Sequence, residues 1–243
     1  MSIEEIADKL VTWLQKKLDE TKAECFIVGL SGGVDSAVVA ALCKKASPDN
    51  THGVIMPCHS NPKDAEYAKM VAEEFNISVK EVVLDEVFDL LVSKLTDESY
   101  EDNITNLAFA NIKPRLRMTT LYFYATKYKG LVVGTGNLSE VIVGFYTKYG
   151  DGGCDIQPIA NLLKSQVFEL ARYLGVPKAI IDKKPSASLW PGHDDEEEMG
   201  VTYGDLDRYI LTGDVDEKVM RRIEELRCKS EHKRYMPPVP RIF

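Results

Sequence analysis

The sequence predicts an α/β protein built on an open, doubly wound parallel sheet with helices on both faces. Three observations carry this. Short apolar runs alternate with stretches of helical period from residue 3 to residue 136, the pattern of βαβ units. Two of the runs end in glycine-rich turns, "GLSGGVDSA" at 29–37 and "GTGN" at 134–137. In such a sheet both turns lie beyond strand carboxyl ends and face one crevice. The chain of 243 residues, 44% of them hydrophobic, is long enough for one substantial core.

The elements follow in order. Ile3, Ile6, Ala7, Leu10, Val11, Leu14 and Leu18 recur at helical spacing, so 3–22 is predicted helical. Ser2 and Glu5 form a candidate capping box at its start. "CFIVGL" is the first strand, 36–46 a helix, and "HGVIMP" at 52–57 the second strand. A helix is predicted over 61–75, with Pro62 in the first turn where its missing N–H is tolerated. "ISVKEVVL" at 77–84 is the third strand, 85–95 a helix, and the polar 96–103 a loop. Residues 104–128 read as one long helix, or as two broken near Pro114, and "LVVGTG" at 131–136 is the fourth strand.

The last third changes character. Residues 146–158 form a glycine-rich loop, and 164–174 a helix that Gly175 should end. Residues 183–200, "KKPSASLWPGHDDEEEMG", form a long acidic segment expected to act as a lid. Its run Asp194–Glu198 is expected to be solvated and mobile. Helices over 203–211 and 215–228 precede a tail, "EHKRYMPPVPRIF", that is basic and then proline-rich. No internal repeat or linker interrupts the chain, so 1–243 is expected to be a single domain.

A net charge of −8 argues against a broad nucleic-acid surface. No apolar run approaches the ~20 residues of a membrane span, and the acidic N-terminus has no signal-peptide pattern. The five cysteines include no CxxC pair, which fits a reducing, cytoplasmic setting and argues against a zinc or iron–sulfur site.

The first glycine-rich turn, Gly29–Ser36, carries the chemistry. It lacks the lysine of a GxxxxGK[ST] phosphate loop. Gly32 and Gly33 let backbone amides converge on an anion, the following helix adds its positive end, and Ser31 and Ser36 add donors. Asp35 would repel a bare phosphate unless a divalent cation stood between them. The residues thus suggest a metal-bound polyphosphate; the bland alternative is a tight turn with a capping Ser or Asp.

The whole "SGGVDS" after a strand resembles the pyrophosphate loop of the ATP pyrophosphatase superfamily, whose enzymes adenylate a substrate oxygen and release pyrophosphate. Further motifs follow in order: "NIKPRLRM" (111–118), "GTGNLSE" (134–140), "GFYTKYGDGGCDIQPI" (144–159), "LLKSQVFELARYLGVP" (162–177), "KPSASLWPG" (184–192), "DEEEMGVTYGDLD" (195–207) and "HKR" (232–234). Together they resemble the ammonia-dependent NAD synthetase family from Gly29 onward. The resemblance implies an adenine nucleotide alpha hydrolase-like, Rossmann-like fold. It implies a cytoplasmic homodimer with the substrate site near the subunit interface. The implied reaction makes NAD from deamido-NAD (nicotinic acid adenine dinucleotide), ATP and ammonia through a carboxyl-adenylate, without a glutaminase domain.

Residue by residue, the resemblance assigns Gly29, Leu30, Ser31, Gly32, Gly33, Val34, Asp35 and Ser36 to ATP, with Thr135, Lys164 and Ser186. Asp35 and Glu140 match Mg²⁺ ligands, and with Lys164 they form the expected catalytic set. Arg115, Lys148, Asp155, His232 and Lys233 match contacts to deamido-NAD. No covalent nucleophile is expected, and Asp155 is a candidate acceptor of the ammonium proton. The chain departs from the family pattern at Pro114, where alanine is usual, and at "PGHDDE", where "PGQTDE" is usual. It also carries Ser186 where many relatives have threonine. Taken alone, Arg115, Lys148, Asp155, Lys164 and the "HKR" tail also fit solvated charges. The competing functions are another adenylating enzyme of the superfamily, a nucleotide sensor, or a degenerate scaffold.

Overall fold

A computed structural model describes residues 1–240; the last three residues of the proline-rich tail lie outside the described residues. The chain opens with α1 (Ile3–Thr21), started by the Ser2–Glu5 capping box. Then come β1 (Cys25–Gly29), α2 (Val34–Ala46), β2 (Thr51–Ile55), α3 (Pro62–Glu74), β3 (Ser78–Glu81) and α4 (Asp85–Leu95). A short 3₁₀ turn at Glu101–Asn103 leads to α5 (Leu107–Ala110), α6 (Ile112–Tyr128) and β4 (Gly130–Val133). The C-terminal third is helical: α7 (Leu138–Val143), α8 (Lys164–Leu174), α9 (Lys178–Ile181), α10 (Asp195–Met199), α11 (Tyr203–Thr212) and α12 (Glu217–Lys229).

The four strands are parallel, in the order β3-β2-β1-β4. The chain moves outward from β1 through β2 to β3, then returns to add β4 on the other side of β1. The order therefore reverses between β1 and β4, and ligands of such sheets bind at that switch point. Gly29–Ser36 follows β1 and Gly134–Glu140 follows β4, so both sit there.

Period-2 alternation divides β1 between two cores. Phe26 and Val28 are fully buried with residues of α1, α2 and α8. Cys25 and Ile27 face the opposite layer, with Phe88 of α4 and Ala125 of α6. β1 and β4 are thus covered on both faces, which is why they read as unbroken apolar runs, whereas the edge strand β3, Ser-Val-Lys-Glu, is largely exposed. A third cluster, Val143, Met199, Val201, Tyr203, Leu206 and Ile223, joins α7, α10, α11 and α12 into a small helical layer.

Two expectations are corrected. Residues 104–128 do form two helices, but the break is at Asn111 rather than Pro114. Pro114 is the third residue of α6, where the N–H it lacks has no intrahelical partner anyway. The acidic run 194–198 is not a solvated loop. Asp194 caps α10, accepting the N–H groups of Glu196 and Glu197 at 2.9 and 3.1 Å. Asp194 and Asp195 are buried. Four acidic residues in the first turn of α10 suit the positive end of a helix. Of the helix's residues only Glu197 and Glu198 are exposed.

Candidate functional site

A cavity of about 900 Å³ opens at the carboxyl ends of β1 and β4. On one side is the Gly29–Ser36 loop. Gly33 is the N-cap of α2 in extended conformation, so the first N–H groups of a 13-residue helix have no intrahelical acceptor. Gly32 sits at φ +74°, and a Cβ there would lie 2.4 Å from the Asp64 carbonyl. Only glycine allows this close approach of the loop to α3. The loop is tied internally: Ser31 Oγ and Ser36 Oγ are 3.0 Å apart, Gly33 N–H donates to Ser31 Oγ at 3.2 Å, and Ser36 donates to the Gly33 carbonyl at 3.0 Å.

Beside the loop stands a charged triad drawn from three elements. Asp35 comes from α2, Glu140 from α7 and Lys164 from α8. Lys164 Nζ lies 2.6 Å from Asp35 Oδ2 and 3.2 Å from Glu140 Oε1. The lysine is 2% exposed, which rules out the solvated reading of it. Its placement follows from polar contacts around the start of α8. Lys164 N–H donates to Ser139 Oγ at 3.1 Å, the Ser139 hydroxyl donates to Asp207 at 2.6 Å, and Ser165 N–H donates to the same carboxylate at 2.9 Å. Asn137 contributes twice. It forms a capping box with Glu140, and its amide donates to Asp35 Oδ1 at 2.8 Å.

One ammonium shared between two carboxylates leaves a net negative cluster. Burial, with Asp35 nearby, pushes the Glu140 carboxyl up to about 7 against the pull of Lys164. Burial alone would lower the Lys164 pKa, but Asp35 and Glu140 override it and hold the amine above its ordinary value. Tyr203 closes the cluster, its hydroxyl 3.1 Å from Glu140 and 3.2 Å from Asp195. Two convergent carboxylates in a cavity suit a hard divalent cation that takes its remaining ligands from phosphate and water. Among the described residues no group of three or more His, Cys, Asp or Glu converges, so a metal cage made by protein alone is not the arrangement found.

The segment 183–200 lies against the cavity. Ser186 donates to the His193 carbonyl at 2.6 Å, and Asp195 accepts the Ala187 N–H at 2.7 Å. His193, the departure from the family pattern, is buried with Nε2 2.6 Å from Glu198 and its ring edge-on to Trp190. Lys113 of α6 is completely buried and donates to the Leu189 carbonyl at 2.8 Å. Thr135 and Ser186 both line the cavity.

The residues matched to deamido-NAD are placed differently. Arg115 is exposed on α6 and reaches the Lys148 carbonyl at 3.5 Å. Lys148 Nζ donates to the His232 carbonyl at 2.6 Å. These three therefore string together along an outer face. Asp155 is also exposed, accepting from Tyr122 at 3.0 Å and from Val132 N–H at 2.8 Å. Of this set only Lys233 lines the cavity, and its amine is engaged by the carbonyls of Gly144 and Tyr146 at 2.7 and 2.6 Å.

Several cavity residues were not singled out from sequence. Arg117, not Arg115, lines the cavity, donating to the Met56 carbonyl and to Ser60 at 3.1 and 3.0 Å. Asp151, not Asp155, presents a carboxylate to it. Asp151 is exposed, and its Oδ1 accepts the Thr147 N–H at 2.9 Å. Helical phase could have separated Arg115 from Arg117, because positions two apart point to different faces. Asp64, Lys183 and Tyr203 carried no sequence signal for this role.

Comparison with known proteins agrees with this geometry. The NAD synthase family model matches residues 6–237. An NH(3)-dependent NAD(+) synthetase from Carboxydothermus hydrogenoformans is 52% identical over 239 residues, 98% of each chain. Among solved structures, an NMN synthetase from Francisella tularensis superposes with a TM-score of 0.93 at 39% identity over 99% of each chain. An NH3-dependent NAD synthetase from Campylobacter jejuni does so with a TM-score of 0.81 at 28% identity, over 99% of this chain and all of that one.

Proposed function

The chain belongs to the NAD synthase family and is an NH3-dependent NAD(+) synthetase; from that premise we propose which residues carry the reaction. The carrying observation is Lys164 held between Asp35 and Glu140 beside the open amides of the 29–36 loop. A carboxylate is a poor electrophile, and adenylation supplies the missing leaving group. The substrate carboxylate oxygen attacks the α-phosphorus of ATP, and the bond to the bridging oxygen breaks. Pyrophosphate leaves with that electron pair. Ammonia then attacks the acyl carbon and AMP departs.

Positioning and charge stabilisation dominate such a reaction. The loop amides and both serines cradle the departing pyrophosphate, with Thr135 and Ser186 on the same ligand. Asp35 and Glu140 are the residues that would hold Mg²⁺. When bound, the ion neutralises phosphate charge. Lys164 keeps the two carboxylates together and offers its ammonium to the phosphates. For the ammonium proton Asp155 stays a candidate acceptor, and Asp151, a residue that lines the cavity, is a second.

Arg115, Lys148, Asp155, His232 and Lys233 are assigned to deamido-NAD. Arg115, Lys148, Asp155 and His232 stand outside the cavity lining, the first two and His232 in contact with one another. A second copy of the chain covering them would complete the grip, so a homodimer belongs to this reading. A cytoplasmic location also belongs to it, consistent with five free cysteines. So does ammonia as the nitrogen source for residues 1–243 acting as one synthetase domain; turnover with glutamine alone would overturn that part.

The test is to supply deamido-NAD, Mg·ATP and ammonium and to quantify NAD, AMP and pyrophosphate together. Equal amounts are expected. AMP and pyrophosphate without NAD would overturn the amidation step. The likeness to the Francisella tularensis enzyme favours one second reading, in which the mononucleotide is the preferred acid. A higher kcat/KM for nicotinic acid mononucleotide than for the dinucleotide would select it.

A further inference from the structure

The phosphate loop has an ionic neighbour outside the triad. A side chain at Gly32 would meet not only the Asp64 carbonyl but also Tyr67 Cβ, at 2.9 Å. The start of α3 therefore packs on the loop with nothing between. The same two α3 residues hold Lys183. Its Nζ lies 2.6 Å from Asp64 Oδ1 and 5.6 Å from the centre of the Tyr67 ring. Lys183 and Asp64 both line the cavity. The lysine is the first residue of the segment 183–200, whose later residues Ser186 and Asp195 line the same cavity.

The charges around the loop make this pair informative. Lys164 is divided between two carboxylates, which offset much of the positive charge it offers a polyanion. Lys183 answers to one carboxylate. Asp64 Oδ2 is buried and has no hydrogen-bond partner among the described residues. The pair is therefore not a closed network in which every charged atom is satisfied. A pyrophosphate leaving from Gly29–Ser36 carries more charge than one carboxylate and offers more oxygens to an ammonium.

We propose that Lys183 is a second pyrophosphate-binding residue, carried by the 183–200 segment and held beside the phosphate loop by Asp64 until the polyphosphate takes it over. This rests on the reading of Gly29–Ser36 as the pyrophosphate loop. The competing role is mechanical, with the Lys183–Asp64 pair doing no more than pinning the segment to α3.

The two roles differ in sign at Asp64. Pyrophosphate inhibition against ATP is measured for the wild type, K183M, K183R and D64N, with thermal melts to establish that each is folded. Loss of a charged hydrogen-bonding partner should raise the inhibition constant of K183M about 10-fold. K183R should recover most of that. D64N should lower the constant about 2-fold, because a competing and repelling carboxylate is gone. Should K183M not fold, K183R and D64N still decide between the roles. A pin predicts that D64N and K183M weaken inhibition together, and that result would overturn the proposal. An unchanged constant in K183M, with the wild type inhibited competitively, overturns it while sparing the loop. A wild type that pyrophosphate does not inhibit competitively with ATP overturns the loop reading and the proposal with it.

Discussion

The two ends of the catalytic surface are held together by different means. At the ATP end, Asp35, Glu140 and Lys164 come from three helices and bond directly to one another inside a buried polar network. At the proposed dinucleotide end, Arg115 reaches the Lys148 carbonyl and Lys148 reaches the carbonyl and ring of His232, with no carboxylate among those contacts. The first arrangement is complete within one chain and needs no ligand to form. The second has its charges facing outward, as a surface does before a partner or substrate covers it. Preorganised charge is what a phosphoryl-transfer site needs, whereas a substrate grip can be assembled on binding.

Substitutions should divide along this line. The largest effect is expected from D35A, which removes a proposed metal ligand and one of the two acceptors of Lys164. Turnover, read as NAD formed per enzyme, should fall roughly 100-fold or more. A folded D35A with near-normal turnover would remove Asp35 from the reaction. K164M should come next. It strips the counter-charge from two buried carboxylates, and a loss of about 3 kcal/mol in unfolding free energy is expected. Mg²⁺ should raise the melting temperature of K164M more than that of the wild type, because both carboxylates are then free to bind it. An identical Mg²⁺ response in the two proteins would argue against Asp35 and Glu140 as ligands.

R115A probes the other end. Here KM for deamido-NAD should rise about 10-fold, with kcat and the unfolding free energy little changed, as for an exposed charge whose contact forms with substrate. A fall in kcat at constant KM would place Arg115 with the buried triad and erase the contrast.

The last contrast is one of pH rather than of rate, at Lys113, which joins α6 to the 183–200 segment. Burial lowers its pKa to about 8, against ~10.4 for an unfolded lysine. Between these values the unfolded chain binds the extra proton, so stability should rise with pH. The stability of the wild type relative to K113M should therefore increase from about pH 8 to about pH 10, in denaturant titrations at each pH. A flat difference would mean that Lys113 keeps an ordinary pKa.

The alternation of apolar runs and helical periods determined the α/β class, because strand and helix periods depend on local backbone geometry. The same holds for the Ser2 capping box, the Gly175 stop and the position of the phosphate loop after β1. The family resemblance singled out Asp35, Glu140 and Lys164, which the structure brings into contact. What the sequence did not determine was direction and partnership. Arg115 and Arg117 are two residues apart on one helix, yet only Arg117 faces the cavity. Asp151 and Asp155 share one loop, yet only Asp151 faces it. The acidic run at 194–198, solvated by composition, became a capped and half-buried helix because Tyr203 and the Ala187 amide supply donors for Asp195. Lys183 and Asp64 are 119 positions apart. Gly32 lets α3, and Asp64 with it, come up against the phosphate loop. Such contacts join residues far apart in the chain, and no local period records them. They exist only once the sheet order has brought the loops after β1 and β4 to the same edge.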